Sequence, residues 1–283
     1  LVIRRQRQMC IRDSNMPVVG SILRRGGAFF MRRTFRGNPL YAAVFDEYLH
    51  SVFTHGYSSE YFVEGGRSRT GRTLSPKAGM LAMTVRSYLR DSKKPMVFVP
   101  VYTGYEKVFE EKSYLGELRG KAKKKESLLD VLGTLRSFKK SFGKVNVTFG
   151  EPIHLSPYLE ERHPGWSNQD YEACNYRPDW APELVDELAT TVVTEINRAA
   201  SVNPINLIAL AILASPRQAM DENQLMRHME AYRDLLAMVP YSDMTVLPDG
   251  HASDWLAHAE ELGCVSRSSC LLYTSPSPRD GRI

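Results

Sequence analysis

A chain of 283 residues with 43% hydrophobic and 24% charged side chains holds enough apolar mass for one large or two ordinary globular domains, and excludes a disordered or collagen-like polymer. Its longest apolar run, Leu207 to Ala214, falls far short of the roughly 18 to 20 apolar residues a membrane-spanning helix needs. The formal charge of +5 sits at the ends: residues 1–14 hold four Arg and one Asp (+3) and residues 266–283 three Arg and one Asp (+2), so the body is near neutral and nucleic acid is not an expected partner.

The two ends lack amphipathic period and caps, and their composition differs from the rest. LVIRRQRQMCIRDS and SRSSCLLYTSPSPRDGRI resemble translated adapter read-through, so residues 1–14 and 266–283 are set aside as artefacts, genuine flexible tails being the plain alternative. They hold Cys10 and Cys270; the body keeps Cys174 and Cys264 with no CxxC, which argues against a disulfide framework or a metal site and fits a reducing compartment.

Between the ends, strand-like and helix-like segments alternate, the pattern of an α/β fold with a mainly parallel sheet flanked by helices. Ala28 to Met31 is a short apolar strand running into Arg32 and Arg33. Asn38 and Pro39 then open a helix as N-cap and first-turn proline, with Tyr41, Val44, Leu49, Val52 and Phe53 as apolar positions and Gly56 as its stop. Tyr61 to Val63 reads as the next strand, Ser75-Pro76 as the start of a helix striped by Ala78, Leu81, Val85 and Leu89, and Met96 to Val101 as a buried strand. A basic stretch, Lys121 to Lys125, precedes a helical segment over 128–142; a solvated face is the plain reading, contact with anionic lipid headgroups or an acidic carrier protein the sharper one. Val145 to Phe149 is a further strand. Beyond Pro152, a loop containing Pro and Trp leads into helices marked by Leu184, Leu188, Val192 and Ile196, then 207–214 and 224–238. The expected division is an α/β core over 15–152 and a helical C-terminal extension over 153–265.

The chemistry concentrates between Phe62 and Arg72, where a strand runs into Glu64, Gly65, Gly66, Arg67, Ser68, Arg69, Thr70, Gly71 and Arg72 before the next helix. At the carboxyl end of a strand, glycines let backbone N–H groups approach an oxyanion and guanidinium forks hold a phosphate bidentately. The spacing is not that of a nucleotide P-loop, and a Gly/Arg surface turn is the plain alternative. Glu64 can orient an arginine, accept from a substrate hydroxyl or simply pair with a cation. Arg32 and Arg33 end the preceding strand and would share an edge with the loop if the strands are neighbours. Pro100, inside Val99-Pro100-Val101-Tyr102, removes a ladder donor and suggests an edge or bulge shaping a pocket wall.

Three blocks, Gly27 to Arg33, Phe62 to Gly71 and Val99 to Glu106, in this order and separation, resemble the bacterial membrane-associated glycerol-3-phosphate acyltransferase family, with further similarity at Glu117 to Gly120 and Phe149 to Pro152. The resemblance implies transfer of a fatty acyl group from acyl-CoA or acyl carrier protein to the 1-hydroxyl of sn-glycerol 3-phosphate in phospholipid synthesis. It implies no cofactor beyond that co-substrate, and peripheral contact with membrane lipids at the cytoplasmic face of the bacterial inner membrane. It places Arg32 or Arg33 with Glu64, Gly65, Gly66, Arg67 and Ser68 on the glycerol phosphate, and Pro100 in the acyl-donor region. An acyltransferase acting on lysophosphatidate or dihydroxyacetone phosphate, or a non-catalytic phosphate- or headgroup-binding module, are the alternatives.

The same resemblance implies a catalytic histidine followed five positions later by aspartate, ahead of Gly27. None of the seven histidines has that partner: the residues five on are His55, Glu60, Leu159, Asn168, Arg233, Leu256 and Gly263. Acyl transfer to an alcohol leans on a positioned general base for about 10²- to 10⁴-fold in rate. The expectation is therefore a nearly inactive fragment, authentic from about Asn15, with no catalytic residue assigned and poor solubility. His50 is considered as a surrogate base and set aside as a mid-helix histidine.

Overall fold

The computed structural model describes residues 6–10, 19–32, 35, 37–66, 68, 71–107, 143–216, 218–268 and 271–274. Lys121 to Lys125, the helical segment over 128–142 and the block Glu117 to Gly120 lie outside the described residues. The chain divides into two compact units, Leu1–Pro100 with Glu151–Thr194 and Val101–Gly150 with Glu195–Ile283, rather than at a single boundary near 152.

In the first unit, β1 (Gln6–Cys10), β2 (Ala28–Met31) and β3 (Ser59–Glu60) form a parallel sheet in the order β2-β1-β3, with Arg7 opposite Ala28 and Glu60. The middle strand thus comes from the segment set aside above. Helix α1 (Val19–Arg25) leads into β2, and α2 (Pro39–Thr54) connects β2 to β3. Asn38 caps α2 by accepting from the Tyr41 N–H at 3.0 Å, and Gly56, at φ +78°, ends it. Its buried stripe is Phe45, Leu49 and Val52, spaced four and three; Val44 is 59% exposed, one position off the expected face. Phe29, Phe45, Leu49 and Met80 form the local core. Helix α3 (Gly79–Arg90) buries Leu81, Val85 and Leu89 as expected and lies against α2, Arg86 pairing with Asp46 and Arg90 with Glu47 at 2.7 Å. Also in this unit, α4 (Leu155–Arg162) buries Leu155 and Leu159, and Tyr88 of α3 packs against Trp166 with ring centroids 5.5 Å apart.

The expected buried strand over 96–101 is instead two strands, β4 (Val97–Phe98) and β5 (Val101–Tyr105). Pro100 has no N–H to continue the ladder, so β4 pairs antiparallel with β7 (Ile153–His154) while β5 pairs antiparallel with β6 (Val145–Phe149). Val97, Val99 and Val101 are exposed; Pro100 itself is buried. The β5–β6 ribbon, with Val101 opposite Phe149 and Tyr105 opposite Val145, belongs to the second unit.

The rest of the second unit is built on the end of α5 (Ala181–Arg198), α6 (Pro204–Ala214), α7 (Glu222–Met238) and α8 (Ala252–Glu261). Asn203 and Asn206 cap α6 reciprocally, and Asp221 caps α7 through the N–H groups of Asn223 and Gln224. Leu207, Ile208, Ile212, Leu225, Met229, Trp255, Leu256 and Leu272 close the core. The expected extension is thus not purely helical: β8 (Ala219–Asp221), β10 (Leu271–Thr274) and β9 (Val265–Ser268) form an antiparallel sheet with β10 in the middle. The mixed α/β class stands. Parallel pairing of named strands is confined to β1, β2 and β3 among the described residues, so a mainly parallel sheet is not what these strands form.

Candidate functional site

Because β1 is parallel to both neighbours, β2 and β3 deliver their carboxyl ends to the same edge of the sheet, two strand spacings or roughly 10 Å apart. The two strands are not neighbours, since β1 lies between them, yet they share an edge. Arg32 follows β2 and is exposed; its N–H donates to the Tyr41 hydroxyl at 3.1 Å, and its guanidinium lies 4.8 Å from the centre of the Tyr41 ring. Tyr41, read from the sequence only as an apolar helix position, therefore holds Arg32 in place.

Past β3, the strand expected at Tyr61 to Val63 is already turning. The Gly65 N–H donates to the Phe62 carbonyl at 3.1 Å, and the Lys77 N–H donates to the Val63 carbonyl at 2.7 Å, so residues 63–77 form a loop closed at its neck. That bond also explains why α3 starts at Gly79 instead of Ser75: the backbone before it is committed to the neck. A second rung joins the Glu64 carboxylate to the Leu74 N–H at 2.7 Å. Glu64 thus acts first as a clasp of the loop, a role available only once Leu74 is brought opposite. Gly65 sits at φ +60°, and a β-carbon there would lie 2.8 Å from Cγ of Lys77, so glycine is required twice over, by conformation and by space. Gly66 has ordinary space, its nearest neighbour a Leu74 methyl at 3.9 Å.

Ser68 is half-buried, and its hydroxyl is shielded with no hydrogen-bond partner among the described residues. Shielded polar atoms normally have partners, so this hydroxyl in a Gly-rich loop is a candidate binding group. The Ser59 hydroxyl is in the same state, and burial pushes the Tyr61 phenol up, against a smaller pull from the Thr84 hydroxyl. Arg33 and Arg67 lie outside the described residues. Pro100 is joined by its flanking strands to β7 and β6 and not to the β2-β1-β3 sheet, so the structure does not bring it to the loop through strand pairing.

All seven histidines are described, and none hydrogen-bonds to a residue of the loop among the described residues. His50 Nδ1 is 2.8 Å from the Ser87 hydroxyl, and Ser87 lies eight residues along α3 from Gly79, about 12 Å from the loop end of that helix. It borders an open pocket of about 460 Å³ lined with Arg90, Asp91, Lys93 and Tyr176. His258 pairs with Glu106 and His163 stacks on Trp180. Among the described residues no group of His, Cys, Asp and Glu could hold a metal ion.

Residues 4–104 match the family described as Acyltransferase, which covers the parallel sheet and the loop and defines the class. Residues 114–275, more than half of the sequence, match the family described as Glycerol-3-phosphate acyltransferase C-terminal region, and the chain belongs to that family. The glycerol-3-phosphate acyltransferase of Pseudomonas paraeruginosa is 55% identical over 252 residues, 89% of this chain and 30% of that protein. That of Pseudomonas putida is 56% identical over the same length and shares. The chain therefore spans 30% of the length of these relatives. Both family matches extend into the end segments set aside from the sequence, as strands β1 and β10 do.

Proposed function

We propose that this chain carries the phosphate-binding part of a glycerol-3-phosphate acyltransferase, the enzyme that moves a fatty acyl group from acyl-CoA or acyl carrier protein to the 1-hydroxyl of sn-glycerol 3-phosphate. The observation that supports the reading most is the closed loop from Val63 to Lys77. Gly65, Gly66 and the Ser68 hydroxyl, which has no hydrogen-bond partner among the described residues, follow a strand whose carboxyl end shares a sheet edge with Arg32. Arg67 and Arg33 complete the anion site in this proposal, and Pro100 belongs to the acyl-donor region. The close relatives carry the same activity in their names. Contact with membrane lipids and a place at the cytoplasmic face of the inner membrane belong to the same proposal. None of the described helices is long and apolar enough to cross a membrane.

The proposal gives this chain binding without efficient catalysis. The attacking hydroxyl must lose its proton as the acyl group arrives, and none of the seven histidines hydrogen-bonds to a described residue of the loop. The test is titration calorimetry with sn-glycerol 3-phosphate on the full chain and on Arg67→Ala. Wild type should bind saturably, and the variant about tenfold or more weakly, since a hydrogen bond to a charged group contributes about 1.5 to 3 kcal/mol. Equal binding by both removes the role of Arg67, and absence of binding by wild type removes the reading.

A further inference from the structure

We propose that Lys77 is a further substrate-binding residue, whose ammonium holds the phosphate monoester presented to the loop; this rests on the reading of residues 63–77 as a phosphate site. Lys77 lies beyond the Gly/Arg stretch and in sequence falls in the first turn of the helix expected from Ser75-Pro76. The fold brings it back. Its N–H closes the loop on the Val63 carbonyl, and its side-chain stem crosses Gly65 so closely that an added β-carbon would meet Cγ at 2.8 Å and Cβ at 3.2 Å. The absence of a side chain at Gly65 is what lets this lysine lie against the backbone of the cradle.

The charge is also free for the task. Arg86 is neutralised by Asp46, Arg90 by Glu47, while Lys94 and Lys107 donate to the Thr54 and Leu262 carbonyls. Lys77 is exposed, and its ammonium forms no ion pair or hydrogen bond among the described residues. The acidic residue of the neck, Glu64, is engaged with the Leu74 N–H and does not pair with it. A cation whose stem is anchored on Gly65 and which has no counterion among the described residues, at the neck of the loop that carries Ser68, is suited to an oxyanion carrying about two negative charges near neutral pH.

The experiment titrates the full chain with sn-glycerol 3-phosphate and, separately, inorganic phosphate and glycerol, using wild type, Lys77→Met and Lys77→Arg, each first checked by thermal melt. Methionine keeps an unbranched stem on Gly65 and removes the charge; arginine keeps the charge. The proposal expects Lys77→Met to weaken glycerol 3-phosphate about tenfold or more, with Lys77→Arg within about threefold of wild type, matching the scale of a charge-assisted hydrogen bond. Inorganic phosphate should follow the same order more weakly, and glycerol should show no saturable binding. Lys77→Met binding as wild type does would overturn the role of Lys77 and leave the loop reading intact. Equal weakening in both variants would also overturn it, since the shape of the stem and not its charge would then matter. If wild type binds neither phosphate compound, the reading of the loop itself falls and Lys77 with it.

Discussion

Nε2 of His258 lies 2.8 Å from the Glu106 carboxylate, a contact between α8 and the end of β5 that spans 152 residues. The same carboxylate oxygen accepts from the Lys144 N–H at 2.7 Å, while Gly143 packs so tightly on Glu106 that any β-carbon would collide with it. The Glu106 side chain is 2% exposed, so its partners are what make burial of a carboxylate tolerable. One glutamate at the end of a resemblance block thus ties β5, the start of β6 and α8 together inside the second unit.

Removing that partner should be felt. His258→Ala leaves the Glu106 carboxylate with one hydrogen bond fewer in a dry site and should cost about 1 to 3 kcal/mol. His228→Ala, whose ring contact is with Tyr232 on its own helix, should stay within about 0.5 kcal/mol. Denaturant midpoints of the two variants make the comparison.

The terminal strand gives a second expectation. Leu272 of β10 is fully buried in the core with Leu225, Met229 and Ile212. Leu272→Ala should destabilise the second unit by about 2 to 5 kcal/mol, as deletion of a buried leucine side chain usually does. A melt unchanged by Leu272→Ala would show that the segment contributes no core.

Two glycines of the loop over 63–77 separate conformation from space. Gly65 and Gly71 both have positive φ, at +60° and +75°, but only Gly65 is crowded, Gly71 having nothing within 4 Å among the described residues. Gly71→Ala should cost the left-handed conformation alone, roughly 1 to 2 kcal/mol. Gly65→Ala should cost more, because Lys77 must also move, and should weaken glycerol 3-phosphate binding in the same calorimetric assay.

The α2–α3 pair predicts a pH dependence. Burial, then the nearby Arg90 cation, hold the His50 imidazole below its usual range, with Glu47 and Asp91 pulling the other way. A histidine depressed in the folded state binds its proton more readily when unfolded. Its contribution to stability is therefore present above about pH 6.5 and is lost as pH falls through the folded value. Melting temperature should drop from pH 7.5 to 5, and His50→Gln should flatten that slope. The lowered Glu47 carboxyl, held by its Arg90 hydrogen bonds, acts with the same sign at more acidic pH, and being exposed contributes weakly.

Local chemistry by itself determined much of what the chain is. Asn38-Pro39 opens α2, and Leu81, Val85 and Leu89 form the buried stripe of α3, because caps and helical period act over a few residues. Contacts distant in sequence were decided only by the tertiary structure. Gln6–Cys10 looked like a stray tail until β2 and β3 flanked it, since a strand of five residues has no signal of its own without partners. Pro100 announced an interrupted ladder, but only the pairings with β7 and β6 show that it separates two strands. From the sequence, Lys77 falls in the first turn of the helix expected at Ser75-Pro76, and Tyr41 is a helix aromatic. Their places against Gly65 and Arg32 come from chain closure, whose partners no local pattern encodes.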